Sequence, residues 1–144
     1  MEYDKNGNLV SEKDPANQLK QYVYNEVNKV TQINTADDQI YYQYNIKDEV
    51  VQIANRTAII QYQRDAKQRI TYESVSSDLV NYPRHEVHYD YNKLDQRVSL
   101  QSNFQNIVYG YHSSTDQLTN INSSATGSYG FNYDDANKLV QISR

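Results

Sequence analysis

The chain has 144 residues, one domain's worth, and a formal charge of −4 with the two signs interspersed. No basic stripe exists to grip nucleic acid, no apolar run approaches the roughly 18 residues that span a bilayer, and the opening MEYDKNGNLVSEK lacks the basic and apolar regions of a signal peptide. With no cysteine there are no disulfides and no thiolate metal site. Leu, Ile, Val and Phe total 31, close to the fraction at which chains stop burying a core. Fifteen tyrosines compensate, each a large apolar body with a polar end, while Asn and Gln add another 30 residues. The mean hydropathy is −0.92, so a polar surface surrounds an aromatic framework.

Taken in chain order, the sequence repeats itself. YDKNGNLV (3–10) is a shortened copy of a unit that recurs as YVYNEVNKVTQI (22–33) and YQYNIKDEVVQI (42–53). YQRDAKQRI (62–70) carries Arg64 where the second tyrosine belongs. YDYNKLDQRV (89–98) and YGYHSSTDQL (109–118) each read as holding one extra residue before the aliphatic position. FNYDDANKLVQI (131–142) closes the series, with Phe131 for the first tyrosine. The second-tyrosine positions 3, 24, 44, 64, 91, 111 and 133 are spaced by 21, 20, 20, 27, 20 and 22. That makes seven copies in one domain over 1–144, with an enlarged step at 73–88.

Each copy reads as a hairpin. Aromatics at i and i+2 share one face of a strand: Tyr22 with Tyr24, Tyr42 with Tyr44, Tyr89 with Tyr91, Tyr109 with Tyr111, and Phe131 with Tyr133. Tyr3 and Tyr62 hold single places in their copies. Asp4, Asn25, Asn45, Asp65, Asn92 and Asp134 follow, residues favoured at the first position of a type I turn. Three residues on stand Gly7, Asn28, Asp48, Gln68, Asp95 and Asn137; Gly, Asn and Asp tolerate the left-handed conformation that such a turn with a bulge requires. Turns are therefore predicted at 4–7, 25–28, 45–48, 65–68, 92–95, 112–116 and 134–137. Aliphatic or β-branched residues restart the return strand: Leu9, Val30, Val50, Ile70, Val98, Leu118 and Leu139. The polar stretches NTADDQ (34–39), ANRTA (54–58) and NSSATGS (122–128) read as loops. The fold class is all-β, an antiparallel meander of about seven hairpins with strands of roughly six to eight residues. Up to about fourteen strands at about 4.8 Å spacing would make a sheet roughly 65 Å wide. Curvature or a partner surface must then hide its tyrosine face.

A tandem Tyr-x-Tyr-Asp-x-x-Gly-x-Leu unit of this length resembles the YD repeat of Rhs proteins, and YNKLDQRVSL (91–100) is similar to that family's Tyr-Asp-x-Leu-Gly-Asn-Arg variant. The resemblance covers residues 3–142. Family members include bacterial Rhs and wall-associated polymorphic toxins, the C component of insecticidal toxin complexes, and the teneurins. The resemblance implies a curved or spiralling sheet, a segment of a β-shell that in the bacterial toxins encloses a C-terminal toxic domain, and a secreted or cell-surface setting. Its implied partners are flanking repeats of a larger chain or the enclosed domain. Family shells are far longer, and no Pro-, Asp- and Gly-Arg-Phe-rich segment follows the last repeat, so autoproteolysis does not carry over. The chain is expected to be a fragment of a shell or a short stand-alone repeat protein.

No catalytic, cofactor or metal site is expected. His85 and His88 are too close for a helical zinc pair and lie on opposite faces of a strand; with His112 they read as solvated edge or loop residues. Asp37-Asp38 and Asp134-Asp135 lack calcium-loop spacing, the serines lack a nucleophile elbow, and the sequons at Asn55 and Asn122 read as chance matches. Tyrosines exposed on the sheet could stack on sugars, which makes a carbohydrate- or cell-surface-binding module the rival reading. Recurrence at every repeat favours a structural role. The breaks in the pattern are Arg64 and 73–88, with Tyr82-Pro83 within it. Self-association is expected through sheet edges near 8–12 and 138–142 or through the tyrosine face, with neither nucleic acid nor membrane insertion.

Overall fold

A computed structural model describes residues 1–78 and 83–144, so Tyr82 of the Tyr82-Pro83 break lies outside the described residues. Every regular element among them is a strand: β1 (Glu2–Tyr3), β2 (Leu9–Lys13), β3 (Leu19–Tyr24), β4 (Val30–Asn34), β5 (Gln39–Tyr44), β6 (Val50–Ala54), β7 (Ala58–Arg64), β8 (Ile70–Ser77), β9 (His85–Tyr91), β10 (Arg97–Ser102), β11 (Asn106–Tyr111), β12 (Leu118–Ser123), β13 (Gly127–Tyr133) and β14 (Leu139–Ser143). They stand in sequence order in one antiparallel sheet. The chain forms two compact units, Met1–Gln63 with Glu73–Arg84, and Arg64–Tyr72 with His85–Arg144.

In the first unit the aromatic row pairs with isoleucines across the strands. Tyr22 stands opposite Ile33 and Ile33 opposite Ile40, while Tyr42 stands opposite Ile53 and Ile53 opposite Ile60. The other face carries Val23, Gln32, Tyr41, Ala54 and Ile59 in one row and Gln43, Gln52 and Gln61 in another. In the second unit Tyr89 pairs with Leu100, Tyr109 with Ile121, Ile121 with Tyr129, and Phe131 with Ile142. Aromatic–aliphatic pairs of this kind contribute about 0.2–1 kcal/mol each. Among the described residues no hydrophobic side chain is buried, and only Ser11 and Ser74 are. Pairing within a single layer therefore stands where a sealed core would.

The predicted turns form. In six of them the amide of the fourth turn residue bonds the first residue's carbonyl, and the first amide bonds the carbonyl of the fifth, as in Asn28 N to Asn25 O at 3.1 Å and Asn25 N to Lys29 O at 2.9 Å. The turn at 112–116 is one residue longer, Asp116 N bonding His112 O and His112 N bonding Gln117 O. The left-handed residue is Gly7 (φ 84°), Asn28 (59°), Asp48 (61°), Gln68 (70°), Asp95 (65°), Asp116 (60°) and Asn137 (63°). An eighth turn of this kind closes β2 onto β3 at 14–17, with Asn17 at φ 63°, and the repeat alignment missed it.

Three expectations need correction. Strands β2, β4, β6 and β14 have five residues each, because a bulge and the turn consume the rest of each copy. The polar stretches hold loops at 35–38, 55–57 and 124–126, but their ends are strand: Asn34 pairs with Gln39, and Asn122 with Ser128, so backbone pairing overrides polar composition there. The copy at 89–98 holds no extra residue; Arg97 pairs with Tyr91 as Val30 pairs with Tyr24, so an arginine fills the aliphatic slot. Its guanidinium lies over the Tyr89 ring at 4.4 Å. The copy at 109–118 does hold an extra residue, Tyr111 pairing with Leu118.

Just beyond that slot the register shifts by one residue. Val10, Thr31, Val51, Val98, Thr119 and Val140 are each skipped in the pairing. All six are β-branched, suiting an extended backbone at a bulge.

Candidate functional site

The recurrent polar chemistry lies in two places, the second tyrosines and the turns. Between successive hairpins the ladder stops short of the turn, at Ser11–Gln21, Gln32–Tyr41, Ser99–Val108 and Asn120–Gly130. Three residues beyond each stopping point stands the repeat tyrosine, whose phenol crosses the gap to a carbonyl of the preceding copy. Tyr24 donates to Leu9 O at 2.8 Å, Tyr44 to Val30 O at 2.7 Å, Tyr111 to Arg97 O at 2.8 Å and Tyr133 to Leu118 O at 3.0 Å. Tyr91 does the same to Ile70 O at 2.9 Å. Every acceptor is the residue that fills the aliphatic slot, so one phenol closes the splayed end of each of these seams. Burial pushes the Tyr44 and Tyr111 phenols upward in pKa, which keeps the donor protonated.

Arg64 replaces that tyrosine in the fourth copy. It donates instead to its own turn, Gln68 O at 3.2 Å, and its Nε is buried without a partner. Tyr3 is exposed, and its phenol reaches only Met1 Sδ at 3.8 Å. Of the first aromatics, Tyr22 bonds Glu12 Oε1 at 2.6 Å, while Tyr42, Tyr62, Tyr89, Tyr109 and Phe131 are half-buried.

The turn residues act through their side chains. Asp4, Asn25, Asn45, Asp65, Asn92 and Asp134 each accept from the amides two and four residues on, at 2.8–3.1 Å. His112 fills this place in its copy, Nδ1 facing the Ser114 amide at 3.4 Å. At four of these turns the second side-chain atom matches the partner four residues on. Asp4 and Asp65 accept from donors, Asn8 Nδ2 at 2.9 Å and Arg69 Nε at 2.7 Å. Asn45 and Asn92 donate to acceptors, Glu49 Oε2 at 2.8 Å and Gln96 Oε1 at 2.6 Å.

In four copies the residue after the left-handed position reaches the next turn. Asn8 donates to Asn28 Oδ1 at 2.7 Å, Gln96 to Asp116 O at 3.0 Å and Gln117 to Asn137 Oδ1 at 3.2 Å. Arg69 makes this link ionic: it pairs with Asp65 at 2.5 Å and with Asp95 at 2.6 Å, and its guanidinium lies over the Tyr91 ring at 4.5 Å. Lys67 adds a second pair to Asp95 at 2.7 Å. The Arg69 side chain holds the Asp65 carboxyl below its ordinary pKa, and Lys67, then Arg69, do so for Asp95. These turn-to-turn links escaped the sequence reading. In each of the four a donor follows the left-handed residue and an Asn or Asp holds the left-handed place of the copy it reaches, but Lys29 and Asp48 meet the same pattern without a link.

The histidines need one correction. His85 and His88 lie in β9, not in a loop; His85 packs against Phe104 (centroids 5.1 Å) and His88 against Tyr72 (4.8 Å). Aromatic neighbours, Tyr72 on β8 and Phe104 in the β10–β11 loop, account for that placement. Tyr72 also donates to Glu86 Oε1 at 2.9 Å. Among the described residues no three His, Asp or Glu side chains are grouped to hold a metal ion.

The RHS Repeat family model matches residues 3–40. No curated protein matches by sequence. The fold is similar to the Photorhabdus luminescens Tc holotoxin pore (TM-score 0.79, 13% identity), covering 98% of this chain and 8% of that one. It is also similar to the TcdB2–TccC3–Cdc42 crystal structure (TM-score 0.62, 14% identity), covering 97% of this chain and 7% of that one. A third structure, TcdB2–TccC3 without its hypervariable C-terminal region, gives TM-score 0.62 at 12% identity over 97% of this chain and 7% of that one. The chain thus spans less than a tenth of the length of these structural relatives. Residues 3–40 are thus similar to the RHS repeat, and the unit they contain recurs along the sequence to residue 142.

Proposed function

We propose that this chain is a non-catalytic stretch of wall, one YD-repeat domain over 1–144 within a shell that encloses a toxin or other C-terminal domain. The observation that carries this reading is where the recurrent polar groups go. Phenols bind backbone carbonyls between hairpins, and turn carboxamides and carboxylates bind turn amides, so the repeated chemistry serves the sheet itself. Likeness to Tc toxin structures, whose chains are more than ten times longer, supports flanking repeats as partners and a secreted setting. Expressed in the longer polypeptide that this reading requires, the enclosed domain should resist protease and become sensitive when the phenol bonds are removed. A domain cut as fast as its isolated form would contradict the reading. Screens for hydrolase or metal-dependent turnover should be blank, and robust turnover lost with one acidic or His residue would overturn it.

Self-association belongs to the same reading. Every residue of β14 is exposed, and Leu139, Val140 and Ile142 leave that strand apolar and without charge or proline to blunt it. Light scattering over a dilution series should show species above 16.8 kDa; a monomer throughout would exclude association.

A further inference from the structure

Tyr41 breaks the repeat. It stands three residues before Tyr44, where the other copies carry Gln21, Gln61, His88, Val108 and Gly130. Tyr41 is 42% exposed, on the face opposite the repeat tyrosines. The phenol donates to Gln39 Oε1 at 2.6 Å, so the ring is held in one orientation without being covered. It borders a depression of about 450 Å³ formed by the β4–β5 and β6–β7 loops. Asn55 Nδ2 donates to Asp38 Oδ2 at 2.8 Å and ties the two loops together. Asp38 Oδ1 accepts from the Gln39 amide at 2.8 Å, and Asn55 Oδ1 accepts from the Thr57 and Ala58 amides. The frame is therefore built before any ligand arrives. Asp37 and Arg56 also line it, with Thr35 and Ala36, and the Asp37 and Arg56 side chains are both exposed and unpartnered among the described residues.

We propose that this depression binds a pyranose sugar, its apolar ring face on Tyr41 and its hydroxyls on Asp37 and Arg56. The chemistry matches group by group. A fixed, exposed aromatic face offers a platform for the C–H face of a sugar ring. A carboxylate accepts from hydroxyls and a guanidinium donates to them, so one diol can use both. The volume lies within the range of small-molecule sites, and pre-formed loops lower the ordering cost of binding. The site lies wholly in the first compact unit and does not depend on the chain being part of a shell.

The test is a heteronuclear magnetic resonance titration with methyl pyranosides of glucose, galactose, mannose and N-acetylglucosamine. At least one should give saturable shifts confined to the Gln39 and Asn55 side-chain amides, the Arg56 Nε and the Tyr41 ring. Tyr41→Ala should weaken that binding about tenfold. Tyr41→Phe, which keeps the ring, should stay within about threefold of the parent. Arg56→Ala, at an exposed position that leaves the loop frame intact, should weaken binding while the amide spectrum elsewhere is unchanged. No saturable shift with any of the four sugars would overturn the proposal. So would equal binding by the parent and the Tyr41→Ala and Arg56→Ala variants.

Discussion

The phenol of Tyr44 donates to the carbonyl of Val30 at 2.7 Å, joining one hairpin to the one before it where the ladder between them has already stopped at Gln32 and Tyr41. The same bond recurs from Tyr24 to Leu9 and from Tyr133 to Leu118. Tyr44→Phe keeps the ring and removes the donor, so it should cost about 1 kcal/mol. Tyr3→Phe, where no carbonyl is bound, should be neutral. Denaturant titrations of the two variants check the contrast.

Alkali should attack the same bonds. Burial raises the folded pKa of Tyr44 and Tyr111 above the ordinary 10.0. A phenol whose folded pKa is raised adds stability that is fully present below the unfolded pKa. That stability is lost as pH rises through the folded one. Thermal midpoints should therefore fall above about pH 10. The fall should be smaller in the Tyr44→Phe, Tyr111→Phe double variant.

Acid acts on a different seam. Asp65 and Asp95 are held below their ordinary 3.8 by Arg69 and Lys67. Groups with depressed folded pKa values stabilise above the unfolded value and lose that contribution as pH falls through the folded one. Stability should therefore decline below about pH 4. Because Asp95 and Lys67 are more than half exposed, added salt should also weaken their pair. Asp65→Asn should flatten the acid limb, as followed by circular dichroism against pH.

Two left-handed positions should respond in opposite directions to glycine. Gln68 holds φ 70°, a costly conformation for a long side chain, so Gln68→Gly should stabilise by up to about 1 kcal/mol. Asn28 holds φ 59°, but its Oδ1 accepts from Asn6 at 3.1 Å and from Asn8 at 2.7 Å. Asn28→Gly loses both bonds and should destabilise by about 1 kcal/mol despite the easier backbone. Paired denaturation curves decide the signs.

The hairpins and their turns were legible because one spacing fixes both: Tyr-x-Tyr sets the strand face, and Asn25 with Asn28 sets the turn. The turn at 14–17 was missed because Asp14 follows no tyrosine, although Asp14 and Asn17 stand in the same relation as Asn25 and Asn28. Arg97 misled the alignment because an arginine in an aliphatic slot looks like an insertion until pairing with Tyr91 fixes the register. The phenol-to-carbonyl bonds could not be read at all. They depend on where the ladder between hairpins stops, which the bulges at Val10, Thr31 and their counterparts accompany, and a skipped residue has no signature beyond its β-branching. Tyr41 was counted among the tyrosines, but its exposed face and the Asp38–Asn55 tie appear only once the two loops are placed side by side.

Amide hydrogen exchange on a variant with Tyr24, Tyr44, Tyr91, Tyr111 and Tyr133 all changed to Phe tests most directly whether the repeat tyrosines hold hairpin to hairpin. Five bonds at about 1 kcal/mol each approach the whole stability of an ordinary domain. Protection should collapse first at the seams β2–β3, β4–β5, β10–β11 and β12–β13, while the ladders inside the hairpins β3–β4 and β5–β6 exchange last. A control with Tyr41, Tyr72 and Tyr129 changed to Phe should exchange like the parent at those four seams. Equal protection of the seams in the five-fold variant and the control would contradict the account.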